Sequence, residues 1–161
     1  MKGKHWTRWT GLALVALLLA GCSSGPVRRV SEPAARLQQL TVRADGSWSL
    51  DVRIENFSSI PMRFDSLDLA LEVAPAAAAG QVRATPALSI GPESADVITV
   101  TLTPQAAAKI AVADALASNR TVSYSLRGRI DATPDEGKSR SFDVERSSVL
   151  SPAPGLPGVL R

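Results

Sequence analysis

Apolar and polar residues alternate one by one along most of this chain, and that period limits the folds open to it. In SWSLDVRIEN, residues 47–56, the apolar side chains share one face and the polar side chains share the other. The segment FDSLDLALEV, residues 64–73, repeats the pattern. Successive side chains of a β-strand point to opposite sides of the sheet, so this period indicates strands with one buried face.

Further short segments of the same character predict more strands. They are residues 38–43, 81–84, 87–90, 95–102, 120–130 and 139–149. About seven short strands, each with one apolar face, are typical of two sheets packed on each other. The predicted fold is therefore all-β, an immunoglobulin- or fibronectin-III-like β-sandwich of about seven strands with one short helix.

The last two long strands predict an antiparallel hairpin across the turn at residues 134–138. Matching their apolar faces fixes one register, because a shift of one residue would bury the arginines. The predicted pairs are Arg127 with Glu145, Gly128 with Val144, Arg129 with Asp143, and Ile130 with Phe142.

One segment departs from the alternation and predicts the helix. Thr103 and Pro104 open an alanine-rich stretch, with Thr103 suited to cap a helix and Pro104 to begin it. We expect a helix over residues 104–117. Three residues fall roughly on one stripe and are predicted to form its apolar face: Ile110, Ala113 and Leu116.

The front of the chain has the layout of an export signal. A cationic head with Lys2, Lys4 and Arg8 precedes the apolar run GLALVALLLA. A spanning helix needs about 20 apolar residues, so this shorter run suits a secretory signal better than a permanent span. The sequence LAGC follows and ends in Cys22, the only cysteine of the chain.

Leu19, Ala20, Gly21 and Cys22 resemble the lipobox of bacterial lipoproteins at all four positions. The resemblance implies a diacylglyceryl group on the Cys22 sulfur, cleavage before this residue, and acylation of the new amino group. Two or more acyl chains anchor a protein stably to a membrane. In the sorting rule of these lipoproteins, Asp after the cysteine favours the inner membrane. Ser23 therefore favours the outer membrane, with the protein facing the periplasm.

Cleavage before Cys22 would remove the excess positive charge. The chain has 18 Lys and Arg against 15 Asp and Glu, and the three cations of the head account for the difference. The basic surface expected of a nucleic-acid-binding protein is therefore not predicted. His5, the only histidine, would also be removed, which excludes Ser-His-Asp and Cys-His catalysis and zinc sites built on His and Cys.

Carboxylate or Ser/Lys chemistry stays open on composition. Asp65, Asp68 and Glu72 could suggest a cation site, but Asp68 and Glu72 are four residues apart on one strand, about 13 Å. A solvated polar face is the preferred interpretation, and we predict no metal, no cofactor and no catalytic residue.

The chain is thus divided into four parts. Residues 1–21 are a signal peptide, residues 22–35 a lipidated tether and residues 36–149 the sandwich. Residues 150–161 are rich in proline and glycine and predict a loose tail.

The stretch VRIENFSSIPMRF, residues 52–64, resembles the late embryogenesis abundant group 2 family, also called the water-stress and hypersensitive-response domain. In that family an apolar strand ends in Asn-Pro-Asn or a similar turn, and an apolar-Pro step leads into the next strand. Asn56 matches the first Asn and Pro61 the proline of the step, whereas Phe57 and Ser58 differ from Pro-Asn. We interpret Asn56 and Pro61 as structural turn residues.

The resemblance implies a sandwich of seven strands and one helix linked to dehydration stress, without a known catalytic site. We expect a non-enzymatic envelope protein, attached to the membrane by lipid on Cys22, that binds or shields an envelope protein or polymer. Two alternatives remain open: an accessory subunit of an envelope transport or assembly complex, and an envelope hydrolase that uses carboxylates. An apolar surface patch would favour partner binding, and a deep pocket with convergent carboxylates would favour the hydrolase.

Overall fold

The alternating segments form two antiparallel sheets in a computed structural model that describes residues 28–161. The predicted signal peptide and lipobox, including Leu19, Ala20, Gly21 and Cys22, lie outside the described residues. The elements in chain order are β1 (Ala34–Val42), β2 (Trp48–Asn56), β3 (Met62–Val73), β4 (Ala77–Ala84), β5 (Leu88–Ile90), β6 (Ser94–Leu102), α1 (Ala106–Ala117), β7 (Val122–Pro134), β8 (Arg140–Leu150) and β9 (Val159–Leu160).

The two sheets differ in size. One has four strands in the order β6-β2-β1-β9, and the other has β4-β3-β7-β8 with β5 added beside β3. The prediction of an all-β sandwich with one short helix is confirmed. Among residues 28–161 no helix is long and apolar enough to cross a membrane.

The apolar face of each alternating strand supplies the core between the sheets. Along β2 every second residue is buried, beginning with Trp48, and β3 buries Leu67, Leu69, Leu71 and Val73 as its sequence predicts. A fully buried side chain of this size contributes about 1.5–3 kcal/mol relative to an exposed one. Burial of these faces fixes which side of each sheet turns inward.

A tyrosine hydroxyl of the larger sheet bonds to the edge of β1 at a point where that edge has no neighbouring strand. Along β1, β9 reaches only Leu40 and Thr41, so no strand lies beside this edge of β1 at Leu37. Next to this short pairing, the Tyr124 hydroxyl of β7 accepts a hydrogen bond from the Leu37 amide at 3.2 Å and donates to the Leu37 carbonyl at 3.4 Å. Burial raises the pKa of Tyr124, so the hydroxyl keeps its proton and remains a donor.

The hairpin of β7 and β8 has the predicted register. Ile130 pairs with Phe142, and Gly128 pairs with Val144. On the outer face, Arg129 contacts Asp143 at 3.4 Å, and Arg127 contacts Glu145 at 3.0 Å. All four predicted pairs are therefore confirmed.

β1 begins earlier than its sequence indicates. It includes Ala34 and Ala35, which the sequence assigned to the tether, whereas the prediction began at residue 38. The pairing with β2 shifts between Leu37 and Gln39, and the residues buried around the shift are Ala35, Leu37 and Leu40. This bulge changes the phase of the alternation, which is why the first half of the strand gave no period of two.

The helix lies where predicted, but its start and its buried face are different. Gln105, not Thr103, occupies the cap position and stays extended, and its amide donates to the Ala79 carbonyl at 3.0 Å. The buried residues are Ala108, Val112 and Ala115, whereas Ile110 is 70% exposed. Apolar residues lie all round this alanine-rich helix, so the fit of small side chains against β4 selects the face.

The prediction of a loose tail at residues 150–161 is wrong. The segment returns to the four-stranded sheet as β9, where Leu160 pairs with Leu40 and is fully buried. The Val42 amide also donates to the Gly158 carbonyl at 2.8 Å. A strand of two residues is too short to show alternation in the sequence. Its pairing is determined by the open edge of β1, which exists only in the folded protein.

Gly128 lets β3 and β7 approach each other. Its φ is 155°, and a Cβ built on it would lie 2.1 Å from the Asp68 carbonyl oxygen and 2.9 Å from the Leu69 Cα. Both neighbouring atoms belong to the backbone of the paired strand and cannot move aside as a side chain could. The position therefore requires glycine.

Replacing Gly128 with alanine should separate the two central strands of the larger sheet. We expect Gly128→Ala to lower the free energy of unfolding by about 3 kcal/mol through overpacking and backbone strain. Urea denaturation of a chain beginning at Ser23 measures the loss. Gly137→Ala is the matched control, because its Cβ would meet nothing closer than a Pro134 atom at 3.5 Å. Equal stability of the two variants would contradict this account.

The Arg129–Asp143 pair should contribute little to stability, because both side chains are largely exposed. A double-mutant cycle with alanine at both positions should give a coupling free energy of about 0.2–0.5 kcal/mol at low salt. The coupling should fall in 1 M salt, where charges are screened over about 3 Å. A coupling that is zero at low salt, or unchanged by salt, would show that the ion pair is not the interaction measured.

Candidate functional site

The end of the sandwich where the chain enters is organised by one buried amide. Asn56 closes β2, and its side chain is 1% exposed. Its Nδ2 lies 3.0 Å from the Ile60 carbonyl oxygen, 3.1 Å from that of Ile90 and 2.8 Å from that of Gly91. Its Oδ1 accepts from the Ser58 amide at 2.9 Å. One side chain thus joins the loop after β2 to the loop after β5.

Ser58 extends this arrangement to the entering chain. It is fully buried, and its hydroxyl accepts from the Ser31 amide at 2.9 Å. The neighbouring Ser59 accepts from the Arg29 amide through Oγ at 2.7 Å, and its own amide donates to the Arg29 carbonyl at 3.0 Å. Residues 28–33, which we name the strap, are therefore fixed to the β2–β3 loop before β1 begins.

Two further contacts hold the same end together. The Pro61 carbonyl accepts from the Asp135 amide at 3.0 Å, which joins the β2–β3 loop to the β7–β8 turn. Arg28 of the strap forms an ion pair with Glu136 in that turn. We define the N-terminal end as the strap, the β2–β3 loop, the β5–β6 loop and the β7–β8 turn.

The sequence predicted Asn56 and Pro61 as turn residues but gave no indication of the strap. Residues 22–35 lack an apolar period, and we expected all of them to act as a tether. The docking uses backbone amides and two serine hydroxyls, which leave no pattern in hydropathy. The departure of Phe57 and Ser58 from the Pro-Asn of the family turn did not by itself predict this docking.

A network of hydroxyl groups and carboxylates lies on the outer face of the larger sheet. Thr133 donates to Asp65 at 2.6 Å, and this bond is the main cause of the lowered pKa of Asp65. Hydrogen bonds from Ser141 and then from Ser66 lower the pKa of Asp131. The folded state therefore favours the ionised carboxylates, and this contribution to stability is lost as the pH falls through the lowered pKa values.

The three residues considered for a cation site do not converge on one point. Asp65 is bonded by Thr133 and by Arg63 at 2.7 Å, and Asp68 contacts Arg83 at 3.2 Å. Within residues 28–161, no three His, Cys, Asp or Glu side chains are grouped so that they could hold a metal ion. These carboxylates are occupied by hydroxyl and guanidinium groups.

Three clefts among residues 28–161 are open and lack convergent acids. One of about 330 Å³ lies over Gly128, and its lining carboxylates, Asp143 and Glu145, are both paired with arginines. Another of about 240 Å³ lies beside Pro61 and Thr133. A third of about 540 Å³ separates the end of α1 from the loop around Leu156. None of these three clefts brings two unpaired carboxylates to one point.

Replacing Asn56 with aspartate tests whether this amide holds the loops. We expect Asn56→Asp to lower the free energy of unfolding by about 2–4 kcal/mol at pH 7, because a buried carboxylate would face three carbonyl oxygens. Burial raises the pKa of such a carboxyl group in the folded state, so protonation at lower pH should reduce the loss.

Urea denaturation at pH 7 and pH 5 measures both effects. Asn119→Asp is the control, since Asn119 is exposed in the turn after α1, and its stability should change by no more than about 1 kcal/mol. Similar losses in the two variants would show that the bonds of Asn56 do not matter to the fold.

Several solved structures share the outline of this chain at low identity. A solution structure from Arabidopsis thaliana is 12% identical, with 82% of this chain and 89% of that chain covered and a TM-score of 0.49. A protein from Archaeoglobus fulgidus is 11% identical, with 78% and 98% covered and a TM-score of 0.43. A protein provisionally named as late embryogenesis abundant is 17% identical, with 92% and 80% covered and a TM-score of 0.45. Because these TM-scores are below 0.5, the likeness to these structures does not assign the chain to a family.

The sequence match to a family is independent of these structures. Among curated proteins, no sequence matches the chain. A family model described as late embryogenesis abundant protein matches residues 51–147, more than half of the chain. The match begins within β2 and ends within β8, and so includes Asn56, Pro61 and Gly128. The chain therefore belongs to the type 2 late embryogenesis abundant family.

Proposed function

We propose that this protein is a non-enzymatic lipoprotein of the bacterial cell envelope that acts by contact during water stress. Lipid on Cys22 anchors the chain, and the sandwich binds or shields a protein or polymer near the membrane. The observation that carries the anchor is the complete LAGC pattern after a cationic head and a short apolar run. Ser23 supports the outer membrane, with the sandwich facing the periplasm.

The family and the surface chemistry support a role without catalysis. The family assignment fits a stress-related function. Charged side chains of both signs cover the outer face of β7 and β8 and neutralise one another in pairs. Such a face suits exposure to water, and the carboxylates of Asp143 and Glu145 are both paired with arginines.

A role as an accessory subunit is supported by one feature at the end of the sandwich that lies opposite the N-terminal end. There the groove beside α1 is lined by Leu116, Leu156 and several prolines, and Leu156 is 45% exposed. An apolar groove of this kind suits a protein segment more than a polymer of sugars. Photo-crosslinking in intact envelopes can separate these two roles. An accessory subunit should give a protein crosslink from position 156 that is missing from the control position 81 on the exposed edge strand β4, whereas a protein that only shields a polymer should give none from either position.

Substitution of the cysteine tests the anchor. Cys22→Ser should abolish incorporation of radiolabelled fatty acid, leave the precursor uncleaved and thereby retain residues 1–21. Ser23→Asp is the control, because it should keep the lipid and shift the protein towards the inner membrane. Normal lipid labelling of Cys22→Ser, measured by gel fluorography after cell fractionation, would end the lipoprotein proposal.

A further inference from the structure

The strap brings the last fixed point of the domain close to the predicted anchor. The strap bonds to Ser58 and Ser59 begin at Arg29, and Arg28 is paired with Glu136. Only six residue steps of the chain therefore separate Cys22 from Arg28. Six residues span at most about 20 Å even when fully extended.

The sandwich is much longer than this tether. β7 has 13 residues, which corresponds to about 40 Å at the rise of a β-strand. Resting the opposite end on the bilayer would lift Arg28 about 40 Å above it, roughly twice the reach of the tether. With lipid on Cys22, the N-terminal end is the end that can meet the membrane.

The N-terminal end carries one exposed aromatic side chain suited to that contact. Phe57, in the β2–β3 loop directly after Asn56, is 49% exposed. The other large apolar side chains exposed among residues 28–161, Ile110, Val149 and Leu156, belong to the opposite half of the sandwich. Aromatic side chains are enriched at the level of lipid headgroups.

The charges beside Phe57 do not favour a specific attraction to anionic lipid. The N-terminal end holds three cations, Arg28, Arg29 and Lys138, against four carboxylates, Glu32, Glu93, Asp135 and Glu136, and Arg28 is paired with Glu136. A surface with balanced charge and a protruding aromatic ring fits the interfacial layer of a bilayer through apolar contact. A single aromatic ring binds a bilayer weakly, but the short connection to Cys22 would keep Phe57 at a high local concentration near the membrane surface.

We propose that the N-terminal end of the sandwich rests on the membrane and that Phe57 inserts into its interfacial layer. This inference rests on the proposed lipid anchor at Cys22. It deepens that proposal, because docking of the strap limits which end of the sandwich can reach the membrane. The groove beside Leu156 is then turned away from the membrane and towards the envelope space.

Tryptophan fluorescence can test the orientation in the lipid-bearing chain. After cleavage before Cys22, Trp48 is the only tryptophan, and it is buried at the opposite end of β2. Phe57→Trp adds a reporter at the N-terminal end, and Leu156→Trp adds a matched reporter at the other. Each lipid-bearing protein is reconstituted in phosphatidylcholine vesicles with and without brominated acyl chains.

We expect brominated lipid to quench the added fluorescence of Phe57→Trp at least twofold and to leave Leu156→Trp and the unsubstituted protein unchanged. Inserting twelve Gly and Ser residues between Gly25 and Pro26 should at least halve the quenching of Phe57→Trp, because the end is no longer held near the bilayer. Equal quenching of both reporters, no quenching of either, or quenching unaffected by the insertion would overturn the orientation.

Sedimentation of the same vesicles separates this inference from the proposal beneath it. Proteins that sediment with vesicles but show the wrong quenching leave the lipid anchor intact and overturn only the orientation. If the protein isolated from envelopes carries no lipid on Cys22 and stays in the supernatant, the proposed anchor and the orientation are both overturned.

Discussion

Burial of one apolar face from each sheet against the other is the interaction on which the rest of this structure depends. Trp48 and Leu50 from the smaller sheet and Phe64 and Leu69 from the larger sheet are all almost fully buried. Because strand side chains alternate, this burial also fixes the outer faces, where arginines and carboxylates pair across strands. The exposed ion pairs follow the register that the core sets and contribute little to choosing it.

Backbone polar groups impose the second constraint, since those near the core must find partners. Asn56 satisfies loop carbonyls that have no strand to pair with, and Tyr124 satisfies the amide and carbonyl of Leu37 at an open edge. Both side chains serve the same purpose at different places in the sandwich. Each closes a site where regular pairing stops.

In the proposed lipid-anchored protein, the strap limits how the sandwich can be oriented on the membrane. A flexible connection to a lipid would leave the sandwich free to present any surface. Docking of Arg29 and Ser31 on the β2–β3 loop shortens that connection and links it to Asn56 through Ser58. In our proposal the same buried amide that orders the loops therefore also holds the orientation of the domain on the membrane.

The sequence by itself determined the fold class, most of the strands and the register of the final hairpin, because alternation over eight or more residues identifies the buried face directly. It also contains LAGC at residues 19–22, which resembles a lipobox and is local in the chain. Tertiary structure decided the buried face of α1, the return of Leu160 to β1 and the docking of the strap. Alanines of α1 lie on all sides of the helix, so its sequence does not mark one apolar face. β9 has only two residues, and the strap is held by backbone amides and serine hydroxyls. None of these leaves a periodic signal, because each is selected by a surface that exists only after the two sheets have packed.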